Sequence, residues 1–427
     1  MIPCPHFIKK RFSITAELSP ALAPFRVRSF RFQWPADLAT SLAFEMEALI
    51  LGWYVLVATG SVQLLVAFAA LQWFGSIFSP FFGIVGDRIG LRRLLCITRG
   101  GYAVLAAVLT ALTFGDALQP WHAFAIYGVA GLMRPSDQAM RHVLVGQTMR
   151  AEALMGALGI SRTTSDIARV AGAFAGAGGV ALIGMGAAYV IVTTLYVVAF
   201  VLSLGVARSP LHAAHGSVLI ALAHLKEAAR YVWTKPDLLG AFCIAFLVNL
   251  LAFPFVLGLL PYVAREVYGI DRSGLGYLAA AFATGGLLGS LVVSGIHIRL
   301  RAGRVMLWST AAWFIAILLF GQARSLPLGL VLLFVTGFVQ SFCMTPLAAV
   351  MLRASSAEMR GRVIGMRILA IWGLPLGLVA TGPIIAHVGF TACTVLFGGI
   401  GLAATLAIGY RWRRALWHRS AAANSHP

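Results

Sequence analysis

Apolar residues run in long blocks of similar size, separated by short polar breaks. Blocks fall near residues 34–58, 62–84, 94–114, 121–144, 156–181 and 187–206 and, after a polar stretch, near 238–263, 274–296, 305–322, 326–350, 362–386 and 389–410. Each approaches the roughly 20 apolar residues that a helix needs to cross a bilayer. The pattern predicts an all-α membrane protein with twelve transmembrane helices in two six-helix bundles. The expected organisation is a basic tail at 1–31, a first bundle at 32–206, a linker at 207–237, a second bundle at 238–410 and a tail at 411–427. Within the linker, Val218 to Trp233 has helical periodicity with Lys226 and Arg230 on its polar side, as in a helix lying on a membrane surface.

The breaks alternate in charge. Basic residues crowd the N-terminal tail, the turn at 86–93, the link near 145–155, the central stretch, Arg299 to Arg304, Arg353 to Arg362 and the tail from Arg411, whereas the opposite set is nearly uncharged apart from 265–272 and Arg324. Positive charge collects on the cytoplasmic side, so both termini are expected in the cytoplasm, at the cell inner membrane. The first 30 residues lack the apolar core and cleavage site of a signal peptide and read as a tail. With 60% hydrophobic and 11% charged residues and a mean hydropathy of +0.88, the chain has too little polar surface for a soluble globule. The formal charge of +19 therefore records topology and lipid contact, and no nucleic-acid partner is expected. Cys4, Cys96, Cys243, Cys343 and Cys393 are scattered without paired spacing and read as free thiols. No nucleophile elbow, phosphate loop or metal-ligand pair occurs, so neither an enzyme nor a metal or cofactor is expected.

A weak repeat links the halves: Gly156, Arg162, Gly172 and Gly184 recur as Gly361, Arg367, Gly377 and Gly389, an offset of 205 residues. Parallel repeats of this kind place a substrate site between the halves near mid-membrane. Between the second and third blocks stands Gly83-Ile-Val-Gly-Asp87-Arg88-Ile-Gly90-Leu-Arg92-Arg93. Its glycines permit a tight turn, Asp87 suits a helix N-terminus, and the arginines can bridge to carboxylates or anionic lipid. The order G-x-x-x-D-R-x-G-x-R-R resembles the signature of the major facilitator superfamily, and the segment number, central loop and repeat fit that family over about residues 32–410. Ser41 to Glu47, Arg134-Pro135-Ser-Asp137, Arg169 to Gly176 and Arg360 to Val363 are similar to bacterial siderophore and macrolide exporters, although Ala173 replaces the proline of the usual antiporter element. The resemblance implies transport by alternating access. It makes Gly83, Asp87, Arg88, Gly90, Arg92, Arg93 and Asp137 a conformational latch, with Asp87 meeting the start of the eleventh helix near Arg360 and Arg362. Asp137 is expected to pair with Arg88 or Arg92. Arg93 and Arg99 also suit the simpler role of setting topology. The corresponding stretch of the second half, Gly289 to Arg304, has no acid, so a single latch is expected.

Glu45 and Glu47 lie near the centre of the first block, where an ionised carboxylate must face a cavity, pair with a cation or hold a proton. Two residues apart, they point about 200° away from each other on a helix. One is expected to face the pathway and the other a neighbouring helix. With Asp166 they are the candidates for proton coupling; the alternative is a structural ion pair with Arg162 or Arg169. Arg162, Asp166 and Arg169 share a helix face, and Asp137 stands in the same relation to Arg134 and Arg141. Arg134, Arg169, Asn249 and Gln340 are the pathway candidates. Trp53, Tyr54, Trp73, Phe246, Phe253 and Trp372 offer an aromatic wall, or ordinary packing. The expected function is proton-coupled efflux of a small molecule by a monomer. An uptake symporter or facilitator of the same fold, and a membrane sensor that binds without transport, are the alternatives.

Overall fold

Helices account for nearly every described residue, and no described residue lies in a strand. The computed structural model describes residues 20–78, 85–86, 88–149, 151–207, 218–295, 302–356, 359, 363, 366 and 369–417. Gly83 and Asp87 of the expected latch, with Arg360, Arg362 and Arg367, lie outside these residues.

The first half contains α1 (Arg28–Thr59), α2 (Val62–Phe74), α3 (Leu91–Phe114), α4 (Pro120–Thr148), α5 (Ala151–Ala173) and α6 (Gly179–Ser203). After α7 (Val218–Thr234) come α8 (Pro236–Leu251), α9 (Arg272–Gly295), α10 (Ala302–Gln322), α11 (Leu326–Ala354) and α12 (Gly373–Arg411). Local chemistry sets the ends. Ser61 Oγ accepts the Leu64 N–H at 3.3 Å to start α2. Proline occupies the first turn of α4, α8 and α11, where its missing N–H costs nothing. Among the described residues seven helical stretches are long and apolar enough to cross a membrane, or up to eight with Lys226–Thr234 and Pro236–Leu251 taken as one stretch bent by 114°.

Two interruptions share one geometry. Gly184 inside α6 has φ 81° and ψ 167°, and Gly389 inside α12 has φ 84° and ψ 167°. Only glycine adopts this backbone readily. The two residues are 205 apart and sit at the junctions of the fifth with the sixth and of the eleventh with the twelfth apolar block. A third interruption corrects the sequence reading, which runs one span over 238–263. Here α8 stops at Leu251, short helices follow at Phe253–Leu257 and Leu260–Tyr262, and a wider turn spans Val263–Val267. Pro254 and Pro261 lack the N–H that a continuous helix needs.

The end of the molecule that carries the Arg88–Arg93 turn is the motif end; the other is the far end. One core fills the first half around Phe44, Phe68, Tyr102, Tyr127, Tyr189 and Tyr196. A second, around Phe255, Trp313, Phe314, Phe320 and Phe397, extends onto Trp53, Val62, Val66 and Ala69 of the first half, so the halves are packed together toward the far end. Glycine seams bring α9 and α11 into backbone contact. A Cβ on Gly289 would lie 2.5 Å from the Phe338 carbonyl oxygen, and one on Gly285 or Gly337 would collide with the opposing backbone.

Candidate functional site

Polar groups are scarce in these spans, and those present are gathered on a few helices. At the motif end of the first half, Arg99 of α3 is completely buried and holds two aspartates. Its Nη2 binds Asp37 Oδ1 of α1, Nε lies 3.2 Å from Asp137 Oδ1 of α4, and Nη1 donates to Ser203 Oγ of α6 at 2.8 Å. Arg141 closes the group, 2.5 Å from Asp137 Oδ2 and 3.6 Å from Asp37 Oδ1, while donating to Ser41 Oγ at 2.9 Å. Two carboxylates and two guanidiniums thus neutralise one another and tie four helices together. Burying one of these charges alone would cost several kcal/mol.

This arrangement revises two expectations. Asp137 pairs with Arg99 and Arg141, not with Arg88 or Arg92. Arg92 turns to the Leu204 carbonyl, and Arg88 and Arg93 are exposed. Arg99 is no topology marker, because it stands six residues beyond Arg93, deep enough in α3 to meet acids from α1 and α4. Gly90 caps α3 with φ 93°.

At mid-depth the first-helix glutamates diverge. Glu47 is buried and accepts a hydrogen bond from the Tyr196 hydroxyl of α6 at 2.8 Å. Glu45 keeps 37% of its side chain exposed and faces α5, where a Cβ on Gly172 would stand 2.6 Å from Glu45 Cβ. The small residue is what admits the carboxylate. Arg169 Nε lies 3.7 Å from Glu45 Oε1, and its Nη1 lies 3.9 Å from Asp166 Oδ1. Arg162, largely exposed, adds a contact to Asp166 Oδ2 at 3.3 Å. Ser290 Oγ of α9 lies 3.4 Å from the same Asp166 oxygen and shares its single proton between that carboxylate and the Leu287 carbonyl of its own helix at 2.8 Å. A chain of alternating charge therefore runs from α1 along α5 and ends on the second half of the molecule.

Arg134 makes no ion pair among the described residues. Its Nη1 donates to Gln72 Oε1 at 2.6 Å and to the Tyr127 hydroxyl at 3.2 Å, and its guanidinium lies 4.0 Å above the Phe44 ring. The expected Arg134–Asp137 pairing is absent because Asp137 is already held by Arg99 and Arg141. On the second half, Asn249 donates to the Ala245 carbonyl of its own helix at 2.8 Å, and Gln340 is half-buried on α11. Phe74 and Trp372 meet edge to face across the halves at 6.1 Å. Trp53 is buried, Tyr54 donates to the Leu118 carbonyl, and Phe253 packs on Trp313. Trp73 and Phe246 are half-buried. Sequence reasoning missed Asp37, Gln72, Tyr196 and Ser290. For Asp37 a signal existed: an aspartate inside the first apolar block without a nearby cation in sequence demands one from another helix. Among the described residues no group of His, Cys, Asp and Glu side chains is placed to hold a metal ion.

Comparison with known proteins adds a family and a fold. A family model described as Major Facilitator Superfamily matches residues 34–295 and 242–423. The chain is 27% identical over 327 residues to the multidrug efflux pump Tap of Mycolicibacterium fortuitum, covering 73% of this chain and 77% of Tap. Among solved structures it is similar to a POT family transporter in complex with 5-aminolevulinic acid, with a TM-score of 0.71 at 13% identity over 91% of this chain and 96% of that one. The nucleoside transporter NupG gives 0.66 at 14% identity over 94% and 100%, and the human organic anion transporter MFSD10 gives 0.61 at 16% over 89% and 99%. At these identities the solved structures speak for the fold alone.

Proposed function

The chain belongs to the major facilitator superfamily, a family of multi-pass membrane transporters of small molecules and not of enzymes, and from that premise we propose that it is a proton-coupled exporter working by alternating access. In this reading twelve spans form two pseudo-symmetric bundles, at 32–206 and 238–410, joined by a linker at 207–237 whose α7 lies on the membrane surface. The matched conformations of Gly184 and Gly389 support the pseudo-symmetry. The basic breaks support an inner-membrane orientation with both termini cytoplasmic, and the motif turn serves as the cytoplasmic latch of a monomer, with Asp137 tying α4 to α3 through Arg99 rather than to the turn itself.

The observation that carries the coupling is the position of Arg169 between two acids. It reaches Glu45 at 3.7 Å on a partly exposed face and Asp166 at 3.9 Å, and Asp166 accepts from Ser290 of the other half. A proton arriving on Glu45 cancels that carboxylate's hold on Arg169, which then belongs to Asp166 alone. The Asp166–Ser290 contact across the seam responds, so protonation and the relative position of the halves share one cation. Glu47, closed off behind Tyr196, is the neighbouring-helix partner rather than the exchange site. Export is further supported by the 27% identity to an efflux pump.

A second reading, uptake by symport, is favoured by Arg134. An anion bound to this unpaired cation would draw a proton onto the nearby glutamates, and solute and proton would then bind together. Proton release measured on substrate binding to purified protein separates the readings. For substrates found by thermal-shift screening and verified by counterflow, export by exchange predicts release, and symport predicts uptake. Binding without counterflow would leave a sensor.

A further inference from the structure

Between described residues, only two hydrogen bonds cross from the first half to the second: Ser290 to Asp166, and Arg265 Nη1 to the Leu56 carbonyl at 3.0 Å. The second lies at the far end and has no part in the proton chemistry above. We propose that Arg265 is the positioning residue that holds the far gate shut.

The acceptor is suited to a cation. Leu56 lies in the last turn of α1, whose terminal carbonyls lack helical partners and carry the negative end of the helix dipole. The Leu56 oxygen already takes the N–H of Gly60 at 2.9 Å, and Arg265 supplies its second lone pair with a charged donor. The donor is placed by an irregular element. Arg265 stands inside the wide turn Val263–Val267, where one residue beyond the α-helical count rotates the side chains that follow. The turn is fixed at its exit by Tyr268 N–H to the Val263 carbonyl at 3.0 Å and Ile270 N–H to the Ala264 carbonyl at 2.9 Å. Val263 and Ala264, on either side of the same backbone, are fully buried. Glu266 lies 3.4 Å from the Arg265 guanidinium and steadies it without competing for the Leu56 oxygen.

Shape completes the contact. Four residues before Arg265, Pro261 approaches Gly52 of α1, where a Cβ would stand 3.5 Å from the proline ring. Separating α1 from the 261–265 segment therefore breaks one directional, charge-assisted bond together with a van der Waals contact. Any motion that opens the far end between these elements must break that bond, and no other polar bond between described residues resists it at this end. The inference rests on the reading of the halves as moving bodies, and its test separates the two.

The test is hydrogen–deuterium exchange by mass spectrometry on the full chain in lipid nanodiscs, comparing wild type with Arg265→Met, Arg265→Gln and Arg265→Lys. Arg265 is partly exposed, so these variants are expected to fold. The informative peptides cover 62–70 and 376–386, which meet across the halves at Val66 and Gly382 and contain neither polar partner of Arg265, Leu56 or Glu266. Loss of the bond is expected to raise the far-open population roughly fivefold, seen as faster uptake in both peptides, with Arg265→Lys intermediate. Faster uptake confined to 56–60 and 263–267 would make the bond a local helix cap and overturn the assignment. Faster uptake at the far seam with no loss of uptake at 140–148 and 344–354 would uphold Arg265 as the far gate while contradicting the rocking of the halves.

Discussion

The first half of the molecule keeps its charges inside, whereas no described Asp, Glu, Lys, Arg or His residue is buried in the second. Asp37, Glu47, Arg99, Asp137 and Asp166 are all buried and all belong to the first half. The buried polar residues of the second half are neutral, among them Asn249, Thr310, Thr336, Ser341 and Thr394. Cations at the motif end of the second half and in the linker before it lie near aromatic rings, with Arg304 4.9 Å from Trp417 and Lys235 4.7 Å from Tyr231. Ion pairs are directional and costly to separate in a low dielectric, so they fix the mutual orientation of α1, α3, α4 and α6. Glycine seams and aromatic edges bind by shape and leave fewer polar bonds to break. Among the described residues the first half thus carries the buried ionic chemistry, while the buried polar groups of the second are neutral and its Arg265–Glu266 pair is partly exposed.

The largest expected effect comes from Arg99→Met. It strands Asp37 and Asp137 without the cation they share and should cost about 3–5 kcal/mol, read as a large fall in the thermal unfolding midpoint in detergent. Arg304→Met, which removes only a ring contact, should cost about 1 kcal/mol or less. Equal losses would erase the contrast between the halves. Gly337→Ala should cost about 1–3 kcal/mol because its Cβ has no room against α9, whereas Gly178→Ala, with nothing within 4 Å of the added atom, should be neutral in the same assay. Ser290→Ala removes the hydroxyl proton that Asp166 shares across the seam with the Leu287 carbonyl, worth about 1 kcal/mol or less. It should leave unfolding nearly unchanged while weakening the dependence of flux on the proton gradient; an unaltered dependence would detach Asp166 from coupling. Smallest is Arg162→Gln, which loses an exposed contact within one helix and should shift stability by less than about 0.5 kcal/mol.

Much of this contrast was legible in the amino-acid sequence, and the part that was not has a physical cause. Apolar block lengths located long helices such as α1, α3, α10 and α11, because a bilayer permits few alternatives. Pro254 and Pro261 were visible in the seventh block, yet a hydropathy pattern does not register the breaks they impose. Glu45 and Asp166 stood out as acids in apolar surroundings, and the repeat pointed to Gly184 and Gly389 before their backbone geometry was known. Pairings were harder to read. Spacing along one helix correctly joined Asp166 to Arg162 and Arg169, but it could not show that Asp137 would be claimed by Arg99 from another helix. Arg99 itself was masked by its neighbours, since a cation shortly after a basic turn looks like one more topology signal. Ser290 and Arg265 gave no sign at all, because their significance depends on which half of the molecule they touch.

The central claim is that Glu45, sharing Arg169 with Asp166, couples proton entry to solute export. It is tested most directly in energised inverted vesicles carrying wild-type or Glu45→Gln protein, with the proton gradient followed by a pH-sensitive dye and solute exchange followed by counterflow. The account predicts that a counterflow-verified substrate dissipates the gradient with wild type, and that Glu45→Gln abolishes dissipation while sparing counterflow. Undiminished dissipation with Glu45→Gln, or none with wild type, would contradict it.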